Sequence, residues 1–128
     1  MKIRSIFLPV AVLVSYAALA NAQTRPGETA IVFESEAGDT VDAFEGSLTV
    51  PENHSVPDSR DITLKYVRFP ATGNASGAPI VYLSGGPGGS GIQTAKHRRF
   101  PLFMVMREFG DVIALDQRGT GASNDLPN

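Results

Sequence analysis

The chain contains no cysteine and no tryptophan, and only two histidines, His54 and His97, among its 128 residues. Without thiols it can form no disulfide, thiolate zinc site, iron–sulfur cluster or cysteine nucleophile, and two isolated imidazoles give no basis for a structural metal site. A basic surplus is lacking too. Eleven Lys and Arg against thirteen Asp and Glu give a net charge of −2, so the phosphate neutralisation that supplies most nucleic-acid affinity has little to draw on. No metal, no cofactor and no nucleic-acid partner is expected. The chain also lacks an apolar run of the roughly 20 residues that span a bilayer. Its longest, Ile6 to Leu19, is interrupted by Pro9 and Ser15.

That run has the layout of an export signal instead. Lys2 and Arg4 precede it, and Ala20-Asn21-Ala22 offers small residues where a signal peptidase reads. The segment 1–22 is therefore expected to be a signal peptide cleaved after Ala22, with a secreted or periplasmic product that does not stay with the membrane. Cleavage leaves 106 of the 128 residues and removes two basic groups, so the product is more acidic than the whole chain. An exported chain without cysteine rests on its hydrophobic core alone.

Residues 23–43 form a polar, acidic lead-in whose short apolar run, Ala30 to Phe33, is either a strand or part of the approach to one. Residues 44–128 carry the expected domain. Phe44 to Val50 and Ile62 to Phe69 alternate apolar and polar residues and stop at Pro51 and Pro70, which predicts two strands paired as an antiparallel hairpin. Pro79 to Leu83 and Asp111 to Leu115 are continuous apolar runs, the pattern of strands buried on both faces. Between them Phe100 to Phe109 has Pro101 suited to a first helical turn and Gly110 suited to a stop. The second half thus reads as a βαβ unit with parallel strands, and the fold class as α/β.

Five of the eight residues from Ser84 to Gly91 (SGGPGGSG) are glycine, directly after a predicted strand. Gly86, Gly88 and Gly91 formally satisfy the dinucleotide-binding G-x-G-x-x-G, with Asp116 closing the next strand where a ribose-binding acid would sit. Against that reading, Pro87 removes an N–H from the turn that should face pyrophosphate, and Pro101 leaves little room for a long helix. A P-loop is excluded, because Ile92 and Gln93 stand where Lys and Ser or Thr must follow. A second chemistry is an oxyanion hole, in which backbone N–H groups of a glycine turn meet the charge that develops on a carbonyl oxygen during acyl transfer. On composition alone, that reading and a plain tight turn stand level.

The following loop, Asp116 to Ser123 (DQRGTGAS), tips the balance. GGPGG and D-x-R-G-x-G-x-S, each after an apolar strand and about 30 residues apart, resemble the α/β-hydrolase superfamily, most closely its prolyl iminopeptidase and tripeptidyl aminopeptidase branch. GSLTVPENHS and ITLKYVRF are similar to the opening strands of those secreted peptidases, so the resemblance runs from Phe44 to Asn124. It implies the N-terminal part of an α/β-hydrolase fold: an antiparallel hairpin leading into a βαβ unit of the central sheet. It also implies hydrolysis of peptide or ester bonds. Gly85 and Gly86 match the glycines of the family's His-Gly-Gly-Pro-Gly, which makes Gly86 the donor of one oxyanion N–H. Ser84 stands where many members have His, a change that keeps the backbone donor and alters the bonding around the turn. Asp116 and Arg118 match the family's acidic and basic loop residues and are expected to brace the floor of the site, with a guanidinium available to a carboxylate or to neighbouring carbonyls. Gly119 and Gly121 are expected as turn residues.

The family's chemistry needs a nucleophilic Ser on a G-x-S-x-G elbow, then an acid, then a His. None of the 128 residues forms that elbow. Ser90 and Ser123 lack its closing glycine, and His54, His97 and Asp125 come too early in the order. The resemblance therefore implies the front portion of a longer hydrolase, without the cap that recognises a substrate amino terminus. Four strands alone would leave an apolar edge open to self-association, and no hydrolysis is expected of these residues by themselves. Smaller signals are the basic run Lys96-His97-Arg98-Arg99, either a solvated face or an anionic contact, and nine acids against one base from Glu28 to Asp61. Asn53-His54-Ser55 and Asn74-Ala75-Ser76 fit the glycosylation sequon. A non-enzymatic alternative is an exported binding module that uses the glycine loop as an anion nest.

Overall fold

The computed structural model describes residues 23–123. The expected signal peptide, and Asp125 with its neighbours at 124–128, lie outside the described residues. The described chain is a mixed α/β unit built on one open sheet of five strands: β1 (Thr29–Glu34), β2 (Thr40–Pro51), β3 (Asp61–Phe69), β4 (Ile80–Leu83) and β5 (Val112–Leu115), in the order β1-β2-β3-β5-β4. Two short helices, α1 (Gly91–Lys96) and α2 (Phe100–Met106), connect β4 to β5. The hairpin of alternating segments forms as β2 and β3, paired antiparallel with Phe44 opposite Arg68 and Pro51 opposite Asp61. β5 lies antiparallel to β3 and parallel to β4. The expected βαβ unit is therefore present, with its crossover broken into two helical pieces.

The sheet has five strands where four were expected, because the acidic segment 23–43 contributes β1 and the opening of β2. Its hairpin is closed by Ser35, whose N–H donates to the Asp39 carbonyl at 2.8 Å while its Oγ accepts from the Asp39 N–H at 3.1 Å. Local pattern understated this strand, since only Phe33 of its six side chains is buried.

Side chains of β-strands alternate between faces, and here the two faces differ. On one, Phe33, Ala43, Val67, Phe69, Val112 and Ala114 meet Ala95 of α1 and Phe100 and Phe103 of α2. The aromatic contacts are edge-on between Phe33 and Phe69 (4.9 Å) and between Phe69 and Phe103 (5.8 Å), the geometry that ring quadrupoles favour. Pro101 occupies the first turn of α2, as its missing N–H allows. The opposite face is covered at the β2–β3 end by residues 23–28, folded over Phe44 and Arg68.

At the β4 end that opposite face is bare. Val81 and Leu83 are 52% and 54% exposed. The expectation that Pro79 to Leu83 is buried on both faces is corrected here. β4 is an edge strand whose inward residues, Ile80 and Tyr82, are only partly covered and whose outward residues meet solvent. A run of β-branched and aromatic residues reports that a strand is built for burial, and not which neighbours are at hand to bury it.

Candidate active site

The two loops singled out by sequence lie side by side at the carboxyl ends of β4 and β5. Asp116 joins them. Its carboxylate is buried, with the residue 1% exposed, and accepts three hydrogen bonds. Oδ1 takes the Ser90 hydroxyl at 2.6 Å and the Ile92 N–H at 3.0 Å, and Oδ2 takes the Ala122 N–H at 2.8 Å. The Asp116 N–H donates to the Lys65 carbonyl, and its own carbonyl accepts from Ser123 Oγ at 2.8 Å. Ser123 Oγ in turn accepts the Lys65 N–H at 2.7 Å. One acid thereby ties the glycine loop, the 116–123 loop and β3 into one bonded unit. Gly121 explains itself in that unit: φ is +48°, and a Cβ there would run into Asp116 Oδ2 and Ser90 Oγ.

Of the two partners open to Arg118, a carboxylate or a carbonyl, the structure shows a carbonyl. Arg118 is exposed, and its Nη1 donates to the Glu52 carbonyl at 2.7 Å, 66 residues away. The Asp116 carboxylate takes its three donors from Ser90, Ile92 and Ala122, while the guanidinium holds a carbonyl on the β2–β3 connection. Gly119 has a φ of +73°, and its N–H donates to the Ser123 carbonyl within the same turn.

The glycine loop itself is open. Gly86 has a φ of +105°, a conformation that side chains rarely adopt, and a Cβ on Gly85 or Gly86 would meet nothing within 4 Å. Neither of their N–H groups meets an acceptor among the described residues. Ser84 shares a 3.2 Å hydroxyl contact with Thr94, which links the start of the loop to α1. The loop therefore presents unpaired backbone donors on an anchored base, the chemical requirement for binding a developing oxyanion.

Ser90 is not poised as a nucleophile. Its Oγ donates to Asp116 and accepts the Gln93 N–H at 2.9 Å as the cap of α1. His97 pairs instead with Glu36, and His54 lies on the exposed β2–β3 connection. Among the described residues no Ser, His and acid are assembled as a triad. The dinucleotide reading also weakens: the amino terminus of α1, where a pyrophosphate would sit, is filled by the Asp116 carboxylate, and α1 ends after six residues. Sequence reasoning missed the role of Ser90 as the link between loops. An Asp-to-Ser bond spanning 26 residues leaves no local pattern, though S-G-I-Q before a helix is a capping signal.

Among the described residues, no cluster of His, Asp or Glu could hold a metal ion. None of the described helices is long and apolar enough to cross a membrane. No protein-family model matches the chain. It is similar to the curated "Serine protease Hip1" of Mycobacterium tuberculosis and of Mycobacterium bovis, 38% identical over 78 residues to each. That stretch is 61% of this chain and 15% of each relative, so the chain matches a small part of the relatives' length. The likeness is to a serine hydrolase of the peptidase kind, and to no particular branch.

Proposed function

We propose that this chain contributes the oxyanion loop to an exported serine hydrolase that cleaves peptide or ester bonds, with an aminopeptidase of the prolyl iminopeptidase type as the nearest functional class. In this reading Gly86 supplies the oxyanion N–H, and Gly85 shapes its approach. Asp116, Gly119 and Gly121 hold the floor, and Arg118 holds that floor to the β2–β3 connection. Nucleophile, acid and base are supplied by residues other than these 128. The open, unpaired donors at Gly85 and Gly86 carry the reading, and the partial identity to a serine protease supports it. Export through residues 1–22, release after Ala22, and self-association along the β4 edge belong to the same proposal.

The test is labelling of the exported protein from its natural source with a fluorophosphonate, followed by peptide mapping. The expected result is one labelled serine inside a G-x-S-x-G segment, and none at Ser90 or Ser123. In that protein Gly86→Ala should lower kcat by about 10²-fold, because a side chain is strained at a φ of +105° and the turn must shift, moving the oxyanion donor, while circular dichroism stays unchanged because the shift is confined to one loop. A natural product that takes no label, or a label on Ser90, overturns the proposal. In that event carboxylate binding by the glycine loop, measured calorimetrically, becomes the function to pursue.

A further inference from the structure

Beside the glycine loop lies a groove of about 330 Å³, walled by Tyr82, Ser84 and Gly85 on one side and by Thr94, Arg98 and Arg99 on the other. Its charge is one-sided. Of the basic run Lys96 to Arg99, Lys96 lies over the Phe33 ring, and His97, which also lines the groove, pairs with Glu36. Arg99 donates to the Tyr82 hydroxyl at 2.8 Å, a neutral acceptor that aims the guanidinium without neutralising it. Arg98 is exposed, and among the described residues no carboxylate pairs with Arg98 or with Arg99. Arg98 also borders a second recess that contains Glu36 and Asp39, but neither acid reaches it.

Two guanidinium groups without a paired carboxylate, three hydroxyl-bearing side chains and a backbone that begins the oxyanion loop form a receptor for an anionic group. Resting on the hydrolase reading above, we propose that this groove selects substrates bearing a carboxylate one or two residues from the bond cleaved. Arg98 and Arg99 would bind that carboxylate, and Tyr82 would position Arg99. A peptide offers such a group as a Glu or Asp side chain or as its free carboxyl terminus. Because Gly85 lines the groove and precedes Gly86, a carboxylate held there also orients the scissile carbonyl toward the oxyanion donor.

The probes are three dansyl-labelled tripeptides, read by fluorescence anisotropy on the exported natural protein: one with an internal Glu and an amidated end, its Gln counterpart, and a Gln peptide with a free carboxyl terminus. A carboxylate form should bind about tenfold tighter than the neutral one, as expected of a partly exposed charge-assisted pair. The arm that binds tighter identifies the side chain or the terminus as the source. Arg98→Gln with Arg99→Gln should erase the preference, Arg98→Lys with Arg99→Lys should keep most of it, and Tyr82→Phe should weaken it about threefold. Equal binding of all three peptides, or a preference that survives both glutamines, overturns the groove. Binding is read without turnover. A protein that holds the acid and cleaves nothing supports the groove and sinks only the hydrolase reading, whereas one that cleaves and binds acid and neutral peptides alike sinks the groove alone.

Discussion

The sheet face turned away from the helices is finished at one end and unfinished at the other. Over β2 and β3, residues 23–28 fold back so that Glu28 meets Arg68 through two bonds, Nε to Oε1 at 2.8 Å and Nη2 to Oε2 at 2.5 Å. Asp111 holds a third guanidinium nitrogen at 3.2 Å, the Gln23 carbonyl accepts a further bond from Nη2, and the guanidinium lies 4.4 Å from the centre of the Phe44 ring. Over β4 and β5 nothing comparable covers Val81 and Leu83. Burial of a charged group is tolerated where every nitrogen has found a partner, while exposure of apolar groups persists where no further strand is at hand. The closed end is fit to be a foundation, and the open end, which bears the glycine loop, is fit to receive another surface.

Breaking the closed end has the largest expected effect. Glu28→Leu leaves Arg68 buried with its bidentate partner gone, which should cost about 3–5 kcal/mol. In a small chain with no disulfide that is enough to shift the urea midpoint sharply or to prevent folding. The same pair gives a pH signature. Hydrogen bonds from Arg68 lower the Glu28 carboxyl below its ordinary 4.5, with burial opposing. A depressed folded-state pKa contributes stability that is complete above the unfolded value and is lost as pH falls through the folded one. Stability should therefore hold above about pH 4.5 and decline below it. Glu28→Gln should flatten that decline; an unchanged acid limb would show that other carboxylates govern it.

Next in size is the joint between the loops. Asp116→Asn keeps the shape but replaces one acceptor oxygen by an NH₂ that faces a donor, either Ala122 N–H or the pair from Ser90 and Ile92. A buried donor left unsatisfied costs roughly 1–3 kcal/mol. The expected outcome is a drop in the urea midpoint together with faster proteolysis in 84–91 and 116–123, leaving β1–β3 protected. Uniform proteolysis across the chain would mean that the two ends are not separable.

How much of this was legible depends on the range of the interaction that decides each residue. Alternation at Phe44 to Val50 and Ile62 to Phe69 and the apolar runs at β4 and β5 are local, and they gave the strands, the hairpin and the parallel pair. Phe100 to Phe109 likewise announced α2, which closes at Met106 and continues as turn to Phe109. What local pattern did not carry were pairings across the chain. Whether Ala30 to Phe33 is a strand or a lead-in stays open locally, because what decides it is pairing with β2 and the anchor beside it, Glu28, which meets Arg68 forty residues on. Which group Arg118 would hold is open in the sequence, because its partner, the Glu52 carbonyl, lies 66 residues away, and the three donors on Asp116 come from residues up to 26 positions off. The glycine cluster is visible locally, and among the described residues no acceptor meets the Gly85 and Gly86 N–H groups. The serine that links that site to its floor was passed over, because a capping residue looks the same with or without a buried acid behind it.

A smaller effect is expected at the open end, where the change bears on association more than on folding. Val81→Lys adds a charge to the bare face of the edge strand, a substitution that natural sheets use to keep edges from pairing. Sedimentation velocity on residues 23–128 should show self-association for the unaltered chain and a shift toward monomer for the variant, with little change in the urea midpoint. A sharp monomer before any substitution would show that the open edge is protected by means other than a partner.

The smallest effect is expected at Arg118, where it separates a brace from a ligand. Its guanidinium is exposed and holds one carbonyl, that of Glu52, so Arg118→Ala should cost no more than about 1 kcal/mol. Hydrogen exchange should quicken on the 52–60 connection and in 117–121, and Arg118→Lys should restore part of the protection, since an ammonium can also donate to a carbonyl but without the fixed fork. If Arg118→Ala leaves exchange in both loops untouched and instead weakens ligand capture by the natural protein, the arginine is a ligand contact. The bond to Glu52 would then be only its resting position.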